Sequence, residues 1–222
     1  MIERLKANWI NHVLELIVVF IGISSAFMLN NWREESGNRK LESQYLKNFL
    51  DDLAFDNNKL DTILTLNRAK IDKFTRMIEK LKHASMPADS SLLLVNDMAQ
   101  IAIFIPKTIT YESVKNSGNF NIIRDYDLKS KIIAYYTSLE SKQLTEEYYK
   151  MYINDYIIPF LFENIDLIHS EVLNPGMLNN ARFRNLVVGY FQMLTQLVST
   201  YENIFELNED LQETLSKKTS SK

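Results

Sequence analysis

The sequence predicts an all-α protein: one N-terminal transmembrane helix followed by a long-helix ectodomain arranged as a bundle or coiled coil. Three observations carry that reading. Glycine (five) and proline (four) are scarce in 222 residues, which disfavours a many-stranded sheet with its frequent turns. Two long segments repeat apolar residues in steps of three and four. Residues 11–32, "NHVLELIVVFIGISSAFMLNNW", are apolar almost throughout, with the single carboxylate Glu15 inside them.

Composition narrows the function classes. Charged residues are 24% and hydrophobic ones 46%, as in a folded protein. Net charge is −3, and Glu3, Arg4, Lys6 and Glu15 cancel within residues 1–32, so the remainder carries all of it. A nucleic-acid partner is therefore not expected, since it would need a basic face. The absence of cysteine excludes disulfides, thiolate metal sites and cysteine nucleophiles, and suits an exported bacterial protein.

In chain order, residues 1–8 read as a short tail and 9–32 as the membrane helix. Trp9 and Trp32 lie about 35 Å apart along a helix, matching a bilayer with an aromatic residue at each interface. The run is too long for a signal peptide and ends without a small-residue cleavage pattern, so a permanent anchor is expected. Basic residues flank it on both sides, Arg4 and Lys6 before and Arg33, Arg39, Lys40 and Lys47 after; the positive-inside rule does not orient it. A short tail before a long domain favours a signal anchor with the bulk of the chain in the periplasm and the anchor in the bacterial inner membrane. Glu15, Gly22 and Ala26 fall within about 20° of one line on the helix, with Asn8 and Arg33 beside them. This stripe combines a carboxylate with two small residues and reads as a helix–helix interface in the membrane, while Leu16, Phe20, Ile23 and Phe27 face lipid. Glu15 either specifies helix pairing, with His12 one turn away, or titrates as part of an ion-driven or transport machine.

Residues 33–40, "REESGNRK", read as a hinge at which Gly37 bends or breaks the helix. The ectodomain spans 41–217. Its first helix covers 39–83 with a row at Leu60, Leu64, Ile71, Phe74, Ile78 and Leu81, interrupted by Asn67. "HASMPADSS" is a linker. Asp89 or Ser90 caps a helix over "LLLVNDMAQIAIF" that Pro106 stops, and 91–110 is the one stretch where strands are an alternative. Thr110 caps a short helix that Gly118 ends, and Asp125 or Asp127 caps the next. That helix runs to about Pro159 and carries Tyr135, Tyr136, Tyr148, Tyr149, Tyr152 and Tyr156. Tyrosines 148, 149, 152 and 156 are core packing or a partner or ligand surface. Asn179 or Asn180 caps the last helix, whose seam is Phe183, Val187, Tyr190, Leu194, Leu197, Tyr201, Ile204, Leu211 and Leu215. Residues 218–222 are a frayed tail.

No catalytic, cofactor or metal site is expected. The three histidines, His12, His83 and His169, are dispersed, and Asp166 with His169 makes half of one unit of a bundle metal site. Gly-rich phosphate loops and nucleophile elbows are absent, and Asp51 and Asp52 read as a solvated face. The function expected is a non-enzymatic membrane-anchored scaffold whose ectodomain forms a homo-oligomer or docks a membrane or envelope partner.

The residues Glu15, Gly22, Ile23, Ala26, Asn30, Asn31, Trp32 and Glu34 follow a pattern of an acid, an aliphatic run, Gly-Ile, Ala and Asn-Asn-Trp. The segment resembles the anchor of a family of bacterial single-pass membrane proteins of unknown function that pair it with a helical ectodomain. "TYESVKNSGNFNII" is similar to that family's second motif, through Thr110, Tyr111, Ser117, Gly118 and Ile123. Ser24 and Ser25 stand where the family has aliphatics, and the N-terminal tail is shorter and less basic. The resemblance implies a layout and no reaction.

Overall fold

Helix α1 is one 82-residue element, Ile2–His83, about 123 Å long at 1.5 Å per residue. The computed structural model describes residues 2–83, 96–169, 171–174, 176 and 180–220; the linker after His83 and the caps expected at Asp89 and Ser90 lie outside them. From Val13 to Trp32 the apolar side chains of α1 are exposed, and this part of the helix is long and apolar enough to cross a membrane.

The expected break at Gly37 is not there. Helix α1 runs through 33–40 without interruption, although a helical glycine costs about 0.5–1 kcal/mol relative to alanine. Bonds on both sides of Gly37 hold it. Arg39 donates to Glu35 across it at 2.8 Å. Arg124 straddles it, its guanidinium on Glu35 at 2.9 Å and its backbone N–H on Glu42 at 3.1 Å.

Beyond Gly37 the buried row of α1 is Glu42, Leu46, Phe49, Leu53, Asp56, Leu60, Leu64, Asn67, Phe74 and Met77, in steps of three or four, with one of seven from Asn67 to Phe74, that keep one face inward. From the far end of α1 the chain descends. A single helical turn at 96–99 gives way to an irregular segment over 100–108. The helix expected up to Pro106 stops short because side chains claim this backbone: Phe104 N–H donates to the Tyr201 hydroxyl at 3.0 Å, Lys142 Nζ donates to Phe104 C=O at 2.9 Å, and Lys107 N–H donates to Asp56 at 2.9 Å. No strand forms there.

Helix α2, Ile109–Asn116, begins after Thr108. Thr110 is therefore not the cap. It is buried inside α2 and donates its hydroxyl to Asp52 at 2.6 Å, so Asp52 is not merely solvated. Gly118, at φ 70°, turns the chain into a short 3-10 turn, Asn119–Ile122. Helix α3, Tyr126–Tyr152, is capped by Asp125, which accepts from Leu128 N–H at 2.9 Å.

Pro159 does not end the helix. A π-turn over Ile153–Ile157 lets Ile158 N–H reach back to Ile153 C=O, and α4, Ile158–Asn164, carries proline in its first turn, where its missing N–H is harmless. The two-residue strands β1 (Ile165–Asp166) and β2 (Glu171–Val172) pair antiparallel. Helix α5, Ala181–Ser220, is capped by Asn180, which accepts from Arg182 N–H at 3.0 Å. It extends into the segment expected to fray, with Lys218 paired to Asp125.

Helix α5 runs antiparallel to α1: Asn208 meets Leu53 at one end, and Phe74 meets Tyr190 at the other. Helix α3 ascends alongside α1, its Tyr135 bonded to Asp56. Every residue of the α5 seam is buried. Leu197 is fully buried, so Leu197→Asp places an unpaired charge in the core and is expected to cost several kcal/mol. Urea titration of the full chain in detergent measures it; a midpoint equal to wild type would put that seam in water.

Candidate functional site

Three sets of side chains compete for a functional role, and the fold separates them. The first is the N-terminal stripe. Glu15 lies 3.5 Å from His12, both well exposed. Gly22 has open space around it, with no atom within 4 Å of where a Cβ would stand, and Ala26 is exposed. All three project from α1 before it joins the helical body, so the chain's own fold leaves this face bare.

The tyrosine row does not form one surface. Tyr149 is 1% exposed and Tyr190 is wholly buried; their hydroxyls share a hydrogen bond of 3.1 Å. Burial pushes the Tyr149 phenol up, so it stays a neutral hydrogen-bonding group. Tyr152 is half-buried and donates to Leu186 C=O at 3.1 Å. Only Tyr148 and Tyr156 face outward. Of the two readings of these tyrosines, the partner-surface alternative is corrected to Tyr148 and Tyr156, because Tyr149 and Tyr152 lie on a different side of the helix and are bonded inward.

The third set is a buried polar column that sequence reading did not single out. Asp56 is fully buried in α1. It accepts from Lys107 N–H and from the Tyr135 hydroxyl, both at 2.9 Å. Tyr135 in turn accepts from Asn208 at 3.2 Å, and Asn208 also donates to Leu53 C=O. Two turns up α3 from Tyr135, Lys142 pairs with Glu146 at 2.8 Å in the interior, and Tyr201 donates to the same carboxylate at 2.6 Å. With Lys142 and Tyr201 holding Phe104's carbonyl and amide, four residues close a ring of hydrogen bonds around one backbone unit. The signal was present in the sequence. Asp56, Lys142, Glu146 and Asn208 all occupy core positions of a three–four repeat, where an apolar residue is the default.

These groups satisfy one another's hydrogen bonds. Among the described residues no cluster of three or more histidines and acids could hold a metal. His169 and Asp166 bond at 2.9 Å on the exposed hairpin, which holds the Asp166 carboxyl below its usual range.

The second sequence motif is structural. Tyr111 stacks on Tyr136 at 4.1 Å between ring centroids, and Ser117 returns its hydroxyl to Ser113 C=O at 2.7 Å. Gly118 occupies the left-handed region that other residues enter at a cost, and Ile123 is fully buried.

A family model described as a family of unknown function (DUF6090) matches residues 15–158. No curated protein and no solved structure matches the chain. The match runs from Glu15 through both motifs to just past the π-turn, and so takes in the apolar segment and the Asp56, Lys142 and Glu146 part of the buried column, but not Tyr201 or Asn208 on α5.

Burial drives the Asp56 carboxyl up to about 6 from an ordinary 3.8, against the lowering effect of its two donors. The folded state thus binds this proton more tightly than the unfolded chain. The stabilisation is complete below pH 3.8 and is lost as pH rises through about 6, a swing of up to ~3 kcal/mol. Asp56→Asn is expected to remove that component. Denaturation midpoints of both proteins between pH 4 and 7 measure it, and parallel pH profiles would show that Asp56 titrates normally.

Proposed function

We propose that this chain, which belongs to the DUF6090 family of unknown function, is a non-enzymatic, single-pass membrane protein. Its helical bundle is an ectodomain that oligomerises or docks a partner in the bacterial envelope. The observation that carries the reading is the continuity of α1: one helix supplies an exposed apolar segment of membrane-spanning length and then, without a break, the central strut of a well-packed helical body. Such a rod transmits position and orientation from the bilayer to the body. A cysteine-free composition suits placement in the periplasm with the anchor in the inner membrane.

Within the membrane the bare stripe of Glu15, Gly22 and Ala26 is the contact face. Small residues allow close backbone approach, and a carboxylate in that position is best satisfied by a neighbouring helix or by His12. The alternative role, a titrating carboxylate in an ion-driven assembly, draws on the same His12–Glu15 approach. A ligand-sensing role for the tyrosine row loses support, since two of its four rings are committed to the interior.

Because the chain lacks cysteine, single-cysteine variants test the contact face directly. Oxidative crosslinking in membranes should join copies through Gly22→Cys or Ala26→Cys and not through Leu16→Cys or Phe20→Cys; the reverse pattern would put the interface on the other side. Glu15→Gln keeps the shape and removes the charge. It should preserve crosslinking and cellular phenotype alike, whereas an assembled but inactive variant would favour the titrating role.

A further inference from the structure

Residues 100–108 descend along the body between the helical turn at 96–99 and α2, and their hydrogen bonds alternate. The carbonyls of Gln100, Ala102 and Phe104 accept from Lys70, Asn67 and Lys142 at 2.7, 3.3 and 2.9 Å, and Phe104 N–H donates to Tyr201. The N–H and C=O groups of Ile101, Ile103 and Ile105 have no partner among the described residues. Alternation of this kind belongs to an extended chain, in which successive residues point their backbone groups to opposite sides. The span agrees. Ala102 and Lys107 bond to Asn67 and Asp56, which stand about 16.5 Å apart along α1. The five steps from Ala102 to Lys107 cover about 16.5 Å when extended, at ~3.3 Å each.

One edge of this extended segment is thus taken up by side chains of α1, α3 and α5, and the other is open. The isoleucines of the open edge are turned outward: Ile101 is 42% and Ile105 75% exposed, while Phe104 between them is buried. An open edge with exposed aliphatic side chains is a template for another strand. The end nearer α2 is basic. The ammonium groups of Lys59 and Lys107 lie 5.7 and 4.1 Å from the centre of the Phe55 ring, and neither is in an ion pair among the described residues. Pro106 closes the edge at this end, having no N–H to offer.

We infer that the open edge of residues 101–105 docks an extended segment of another protein by strand addition. That segment carries alternating aliphatic side chains and, at the end that meets Lys59 and Lys107, a carboxylate. The inference deepens the docking role proposed above and rests on it, with α1 in the membrane, for the exclusion of two other occupants. Lipid is excluded by height: Asp56, level with the basic end of the edge, stands about 36 Å beyond Trp32 along α1, far outside a headgroup layer of roughly 5–8 Å. A second copy is excluded by symmetry. Two copies in one membrane run their segments parallel, and a parallel ladder needs the bonding residues of its two strands staggered. A two-fold axis along the membrane normal sets identical residues level instead.

The test uses the full chain in detergent and the peptide acetyl-Glu-Glu-Val-Thr-Val-Thr-Val-amide, with residue-resolved amide hydrogen exchange as the readout. Alone, the chain should exchange Ile101, Ile103 and Ile105 fast, and Phe104 and Lys107 slowly. The peptide should slow Ile103 and Ile105 by about fivefold or more. The same peptide N-methylated throughout keeps its side chains but has no backbone donors, and should give no protection. Ile105→Pro removes one N–H on the open side, where proline is tolerated. It should weaken binding about fivefold with unchanged circular dichroism. Protection of the three isoleucines without peptide would show the edge already held by this chain or a second copy, and would overturn the inference. So would a peptide that protects none of them, or one that acts equally well when N-methylated, since apolar adhesion needs no backbone donors. Equal binding with lysines in place of the two glutamates would overturn the carboxylate contact. None of these results bears on the anchor, which the cysteine crosslinks test by themselves.

Discussion

The arrangement of the helical body depends on a buried carboxylate and the groups that compensate it. Asp56 sits on the inward face of α1, where leucine or phenylalanine would be the default, and burial opposes its charge. Donors from two other segments offset that cost: the Lys107 amide from the descending segment and the Tyr135 hydroxyl from α3. Asn208 from α5 completes the chain through Tyr135. Hydrophobic packing alone tolerates sliding of one helix past another by a turn, because leucine rows are nearly self-similar. A hydrogen-bonded column is not, since a one-turn slip leaves several buried polar groups unpaired at about 1–3 kcal/mol each. The column therefore fixes the register of three long helices against each other.

The same logic explains why residues 100–108 are ordered without regular secondary structure. A connector crossing a core must find partners for its amides and carbonyls. Here Asp56, Tyr201 and Lys142 supply them. Lys142 is itself compensated by Glu146, and Glu146 by Tyr201, so the bonds around Phe104 close into a ring. The irregular segment held in this way runs from the level of Asn67 back to that of Asp56.

That return braces α1 on both sides of Gly37. The chain descends from Phe104 through α2 and the left-handed Gly118 to Arg124, and Arg124 grips α1 on either side of its one helical glycine outside the apolar segment. Exposed ion pairs such as Arg124–Glu35 contribute little individually, but a part-buried backbone bond to Glu42 two turns away makes the pair part of a bracket. The apolar segment and the inward-facing row of the helical body thus lie on one continuous helix.

The sequence by itself determined the all-α class, the apolar N-terminal segment and the seam of α5, because each depends on a periodicity that a single helix displays whatever it packs against. The caps were legible to within two candidates each, Asp125 or Asp127 and Asn179 or Asn180, for the same reason: capping is local chemistry, and the fold uses Asp125 and Asn180. The continuity at Gly37, the passage through Pro159 and the irregular run before Thr108 were decided by tertiary structure. Each turns on a bond to a residue distant in sequence, or on a π-turn whose register the surrounding core selects. The tyrosines divide along the same line. Their composition marked α3 as unusual, but which rings face inward depends on where α5 lies, and only the folded chain places Tyr190 against Tyr149 while leaving Tyr148 and Tyr126 outside.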